Sequence, residues 1–255
     1  MIDILIFTNE RPKYLKRSIQ YWSNSNFNII IADGSKNSYQ GNIPKNFEYF
    51  HLPGATPLYR IIYLAKKTKF KYAAYCADDD FISFKGIKKI LNFLEKNEEY
   101  ACAQGLYLKV GQKNNAQTLL FGTAYLSNIS VDTKKINGDK NDLLNEMLNF
   151  RFSICYGVMR SSVLENYIKI FNGLDLENYY KGRAPDQLFE DLMFYAVFVS
   201  GHYITLPVFY SLRQNQIAHY RKSWEYKDKL YLDDLFADWV KKDQKEWQIV
   251  KKNIN

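Results

Sequence analysis

The chain is poor in the residues that mark several common chemistries. It has three cysteines and three histidines among 255 residues. Cys76, Cys102 and Cys155 lie far apart in apolar runs that read as strands, with none of the paired spacing of a structural zinc site. They read as buried thiols of a reducing cytosol. No nucleophile elbow is present, which removes serine hydrolase chemistry. Lys and Arg form scattered pairs such as Lys66-Lys67 and Lys88-Lys89 rather than a dense cluster, so nucleic acid is not an expected partner. Internal repeats and low-complexity tracts are missing too, and Ile2-Asp3-Ile4-Leu5-Ile6-Phe7 lacks the basic flank and cleavage site of an export signal.

What remains is ordinary globular composition, 47% hydrophobic and 24% charged, with a high aromatic share of 16%. Disorder and collagen-like structure are excluded. The formal charge of +8 would attract phosphorylated ligands, polyanions or an anionic membrane surface. Leu192 to Leu212 carries no Asp, Glu, Lys or Arg and is long enough to span a bilayer, but Ser200-Gly201-His202 divides it. It reads as a buried helix, a turn and a strand.

The first hundred residues alternate strand and helix signals. Strands are expected at Asp3–Thr8, Phe27–Asp33, Phe47–Leu52 and Tyr72–Ala77, with helices at Pro12–Trp22, Pro57–Lys67 and Ser83–Lys96. This predicts an α/β domain with a mostly parallel sheet and helices on both faces. Further on, Tyr100–Val110 and Ile154–Met159 read as strands. Asp142–Phe150, Ser161–Phe171 and Pro185–Val199 read as helices, Ser161 or Ser162 capping the second. The polar stretch Gly111–Asn141 reads as hairpins or a mobile loop around Leu119–Leu126. Tyr203–Leu206 is a further strand, and residues 223–255 form a helical C-terminal tail. The expected organisation is one domain over 1–222, with a regularly alternating half (1–110) and a looser half (111–222), followed by that tail.

Open parallel sheets bind ligands beyond the carboxyl ends of their strands. Four polar segments fall there: Thr8-Asn9-Glu10-Arg11-Pro12, Asp33-Gly34-Ser35, Pro53-Gly54-Ala55-Thr56 and Asp78-Asp79-Asp80. Any one of them alone reads as a cap or turn. Three adjacent carboxylates are different, because their mutual repulsion requires water, a cation or basic groups to offset it. Mg²⁺ or Mn²⁺ suits such hard oxygen ligands and keeps open positions for nucleotide phosphates.

These segments resemble the nucleotide-sugar glycosyltransferases of the GT-A fold, especially the large inverting family two. The run Thr8-Asn9-Glu10-Arg11-Pro12 with Leu15, the Asp33-Gly34-Ser35 strand end and the Asp78 to Asp80 metal motif carry the resemblance over Ile2 to Phe84. A looser match follows at Phe189-Glu190-Asp191-Leu192, then Gly201 and Tyr203–Leu206. The resemblance implies a GT-A-like, Rossmann-like catalytic domain, 1–110 its nucleotide-binding half and 111–222 its acceptor-binding half, that transfers a sugar from a nucleotide-diphosphate donor, UDP first, to a hydroxyl with inversion. Asp33 would bind the nucleobase, Thr8 would fix the strand end, Arg60 would support base or phosphate, and Asp78 would reach the ribose. Glu10, Arg11 and Asp79 complete the nucleotide set. Asp80, with Asp78 or Asp79, would hold Mn²⁺ or Mg²⁺, and His219 would complete the coordination or meet the diphosphate. Asp191 would be the catalytic base, with Glu190 its neighbour and rival.

Departures from the family pattern shape the rest. Glu10 stands where the family often has Asn, and no Gln-x-x-Arg-Trp motif of processive synthases occurs, so a single addition is expected. The acceptor would be a glycan or lipid-linked glycan in bacterial surface polysaccharide biosynthesis. The setting would be cytoplasmic, with peripheral contact at the inner face of the membrane as a further option. A nucleotidyltransferase is disfavoured because Thr8–Pro12 contains no glycine. A silent carbohydrate-binding protein suits the aromatic surplus but has no need of three carboxylates at the ligand edge.

Overall fold

The computed structural model describes residues 1–112, 119–122, 131–135, 154–173 and 185–215. The expected helix Asp142–Phe150, the tail 223–255 and His219 lie outside the described residues, as does the side chain of Asp191.

A nine-stranded sheet organises them. Its strands are β1 (Ile2–Thr8), β2 (Asn28–Asp33), β3 (Phe47–His51), β4 (Tyr72–Ala77), β5 (Phe81–Ile82), β6 (Tyr100–Gln112), β7 (Leu119–Gly122), β8 (Val158–Arg160) and β9 (His202–Asn215). They lie in the order β3-β2-β1-β4-β8-β6-β9-β5, with β7 paired to β6. β3, β2, β1 and β4 are mutually parallel. β8 is antiparallel to both β4 and β6, while β6 and β9 are parallel.

Helices cover both faces, which is why β1 and β2 are apolar on both sides rather than alternating. α1 (Pro12–Trp22) and α3 (Phe84–Lys96) close one face over Ile4, Ile6, Ile29 and Ile31. α2 (Pro57–Lys67), α4 (Ser161–Asn172) and α5 (Pro185–Ser200) close the other over Leu5, Ile30 and Tyr75. Proline opens α1 and α2 at the position where a missing N–H costs nothing. Thr56 caps α2 through Tyr59 N–H, and Ser83 caps α3 through Gly86 N–H.

The segment Leu192–Leu212 is indeed a helix, a turn and a strand. Gly201 makes the turn at φ +146°, where a Cβ would come within 2.7 Å of the Glu99 carbonyl. Among the described residues, no helix is long and apolar enough to cross a membrane.

Three local expectations are corrected. The strand expected at Ile154–Met159 forms only at Val158–Arg160, because Ile154 to Gly157 is a turn closed by Gly157 N–H on the Ile154 carbonyl; Cys155 therefore sits in that turn. Neither Ser161 nor Ser162 caps α4, which begins at Ser161 behind Arg160 without a side-chain cap. The strand after Gly201 also runs well beyond Pro207. Between the Gln104/Thr205 and Leu106/Phe209 pairs β9 carries extra residues, and this irregularity accommodates a proline that has no N–H to donate.

Arg160 is the main anchor that local patterning did not reveal. Its guanidinium donates to the carbonyls of Leu94 (2.6 Å), Tyr100 (2.9 Å) and Asn97 (3.1 Å), fastening the end of α3 to β6 and β8. A cation over the last carbonyls of a helix also complements its dipole.

Candidate active site

The carboxyl ends of β1, β2 and β4 converge because the three strands are parallel neighbours in register: Thr8 lies opposite Asp33, and Phe7 opposite Ala77. The polar residues that follow each strand therefore share one edge. Thr8, Asp33, Arg60, Asp78 and Asp80 are all buried.

Asp33 is fixed on both oxygens. Ser35 N–H donates to Oδ1 at 2.9 Å and the Tyr49 hydroxyl donates to Oδ2 at 2.7 Å. That bond helps to push the Tyr49 phenol up to about 12, with burial the larger cause. Ser35 also accepts from Glu10 N–H (2.7 Å), and Glu10 Oε1 accepts from Lys36 N–H (2.6 Å). Glu10 thus locks the β1 loop to the β2 loop, with its own backbone at φ +54°, a strained conformation of the kind concentrated at functional sites. Arg60 lies under this junction and bonds the Ala55 carbonyl and, at 3.5 Å, Asn9 Oδ1. Gly34 is required there, since a Cβ would fall 2.2 Å from Arg60 Nη1.

The acidic triplet is divided between two arginines. Thr8 Oγ1 donates to Asp78 Oδ2 at 2.6 Å, and Arg11 reaches both Asp78 (2.9 Å) and Asp79 (2.6 Å). Burial raises Asp78 to about 6; Arg11 and Thr8 pull it back. Burial also works against the Arg11 charge, but Asp78 and Asp79 outweigh it and hold Arg11 above its ordinary value. Asp80 turns away to Arg213, whose Nε lies 3.4 Å from Oδ2. The cause is β5: Phe81 pairs antiparallel with Leu212, so the preceding Asp80 meets the following Arg213. Arg213 also stacks over Tyr156, 4.4 Å from the ring centroid.

Glu190 of α5 also acts on this end of the site, through Tyr156. Burial pushes the Tyr156 phenol up, Arg213 opposes this, and the charges of Asp80 and Glu190 reinforce it. Glu190 and Asp80 therefore act on one side chain. Tyr49, Tyr156 and the Arg213–Asp80 pair had no signal in local sequence, because each depends on a pairing between distant strands. The structure brings Thr8, Glu10, Arg11, Asp33, Arg60, Asp78, Asp79 and Asp80 to one edge and sets Glu190 near its Asp80 end.

No three His, Cys, Asp or Glu side chains converge to hold a metal ion among the described residues. A protein cage is not required of Mg²⁺ or Mn²⁺, which can take one or two carboxylates and share substrate phosphate oxygens. Asp80, a buried carboxylate at the same strand edge with Arg213 Nε 3.4 Å away, fits that mode.

No protein-family model and no curated protein sequence matches the chain. Solved structures do. S. aureus TarS, a glycosyltransferase, superposes with TM-score 0.54 at 12% identity over 84% of this chain and 36% of TarS. TarS 1-349 in complex with UDP gives the same TM-score and identity, with 84% and 60% covered. The UDP-GlcNAc complex gives 0.52 at 13% identity, with 100% and 71% covered. The chain thus spans about a third of the full TarS chain, and at this identity the likeness speaks to architecture: the fold is GT-A-like.

Proposed function

We propose that this protein transfers a sugar from a nucleoside-diphosphate donor, UDP first, to a glycan or lipid-linked glycan hydroxyl with inversion. The observation that carries the proposal is the pre-built strand-end cluster, with Asp33 fixed by Ser35 and Tyr49 beside Asp78 fixed by Thr8 and Arg11. Neighbours of this fold have been solved with UDP and with UDP-GlcNAc, which supports the same donor class here.

The roles follow from what each group offers. A fixed carboxylate accepts from the N–H edge of a nucleobase, so Asp33 reads a base that presents a donor, as uracil does. Asp78 accepts from the ribose hydroxyls. Arg11 and Arg213 flank the acidic triplet, and Arg213, beside Asp80, would meet the charge growing on the diphosphate. Asp80 would hold Mn²⁺ or Mg²⁺, which would supply electrostatic stabilisation of the departing diphosphate. Asp191 takes the acceptor proton.

Metal dependence is testable by titrating UDP into wild type and Asp80→Asn, each with and without Mn²⁺. Mn²⁺ is expected to tighten UDP binding to wild type by about ten- to a hundredfold and to do little for the variant. Equal affinity under all four conditions would remove the metal from the account.

A further inference from the structure

A groove of about 630 Å³ lies along the outer side of α1. It starts at Pro12, the residue after Arg11, and passes Lys13, Lys16 and Gln20; Tyr39 and Asn42 line it from the β2–β3 connection. No acidic side chain lines it. Lys13 and Lys16 are exposed and three residues apart, so they share a helix face with Cβ atoms about 5–6 Å apart.

The wall facing them is held in place. Tyr39 N–H donates to Tyr49 Oη at 2.8 Å, and that hydroxyl donates to Asp33 at 2.7 Å. The groove is thus tied to the carboxylate assigned to the nucleobase, and it leads away from the same strand edge.

Its lining combines charge, amides and apolar surface. Two ammonium groups one helical turn apart attract phosphate or carboxylate. The Tyr39 ring offers an apolar surface to a sugar, and the amides of Gln20 and Asn42 can both donate to and accept from hydroxyls. Pro12, Ile19 and Pro44 also line it, but a membrane face would need large exposed apolar side chains to insert. Among the described residues the exposed large hydrophobics, Met1, Tyr59, Tyr195 and Val199, are not in the groove.

We infer that this groove, built from residues 12–44 and so outside the half expected to hold the reacting end of the acceptor, is a subsite for an anionic saccharide, binding the part of the acceptor remote from the reacting hydroxyl. Its assignment to the acceptor rests on the transferase reading; its preference for anionic saccharide does not. The test compares wild type with Lys13→Glu/Lys16→Glu in the full chain, using a fluorescent phosphorylated dextran oligomer, an uncharged dextran oligomer of equal length, and vesicles containing phosphatidylglycerol. Both positions are exposed, so the melting temperature should be unchanged. Wild type should bind the phosphorylated oligomer more tightly than the neutral one, and the double variant should lose about tenfold or more. UDP affinity should stay the same in both proteins. Equal binding of the phosphorylated oligomer by both, or charge-dependent binding of vesicles with none of the oligomer, overturns the inference. Failure of wild type to bind UDP while oligomer binding persists would count against the transferase reading alone.

Discussion

Asp191→Asn is expected to slow sugar transfer by about 10²- to 10⁴-fold while leaving UDP affinity and melting temperature unchanged. Inversion by direct displacement requires a base for the acceptor proton, and under the proposed function Asp191 would supply it. The observation behind this is that Glu190, one residue before Asp191 on α5, exerts its charge on Tyr156 together with Asp80. Successive helical positions diverge by about 100°, so substitutions at the two can be read apart. Comparing single-turnover rates of Asp191→Asn and Glu190→Gln separates the roles. Lost turnover in Glu190→Gln with near-normal turnover in Asp191→Asn would move the base to Glu190. A lowered melting temperature in Asp191→Asn with normal turnover per folded molecule would leave Asp191 a structural part only.

A second large effect is expected at Asp78, where function and stability oppose each other. Burial holds its carboxyl near 6 against an ordinary 3.8. With the folded value raised, the group's stabilising contribution is complete below about pH 4 and is lost as pH rises through 6. At pH 7.5 the ionised, buried carboxylate costs on the order of 3 kcal/mol relative to acid conditions. Asp78→Asn removes that dependence. Its melting temperature, measured in EDTA, should therefore gain on wild type between pH 4 and pH 7.5. Its affinity for UDP should fall by about ten- to a hundredfold, the loss of a hydrogen bond to a charged group. A melting-temperature gap that does not change with pH would contradict the burial argument, and unchanged UDP affinity would remove Asp78 from the ribose site.

The opposition at Asp78 fits what the sequence could and could not disclose. α1, α2 and β4 begin and end where proline and the apolar runs place them, since those signals are local. The strand ends carrying Thr8, Asp33 and Asp78 were legible for the same reason. β5 is only two residues long and exists through its pairing with β9, so the meeting of Asp80 with Arg213 was hidden. The Tyr49 bond to Asp33 and the three-carbonyl grip of Arg160 were hidden likewise. The repulsion within the acidic triplet was visible as a demand for neutralising partners. Its arginines became visible only once Arg11 and Arg213 had been carried to it by different strands.

The central claim is that this strand edge binds a nucleoside diphosphate through Asp33. Isothermal titration of UDP into the full chain with Mn²⁺ present, for wild type and for Asp33→Asn, tests it most directly. Saturable binding is expected for wild type, with an affinity lower by about tenfold or more in Asp33→Asn, whose fold should persist. Wild type that binds neither UDP nor any other nucleoside diphosphate, or an Asp33→Asn variant that binds UDP as tightly as wild type, would contradict it.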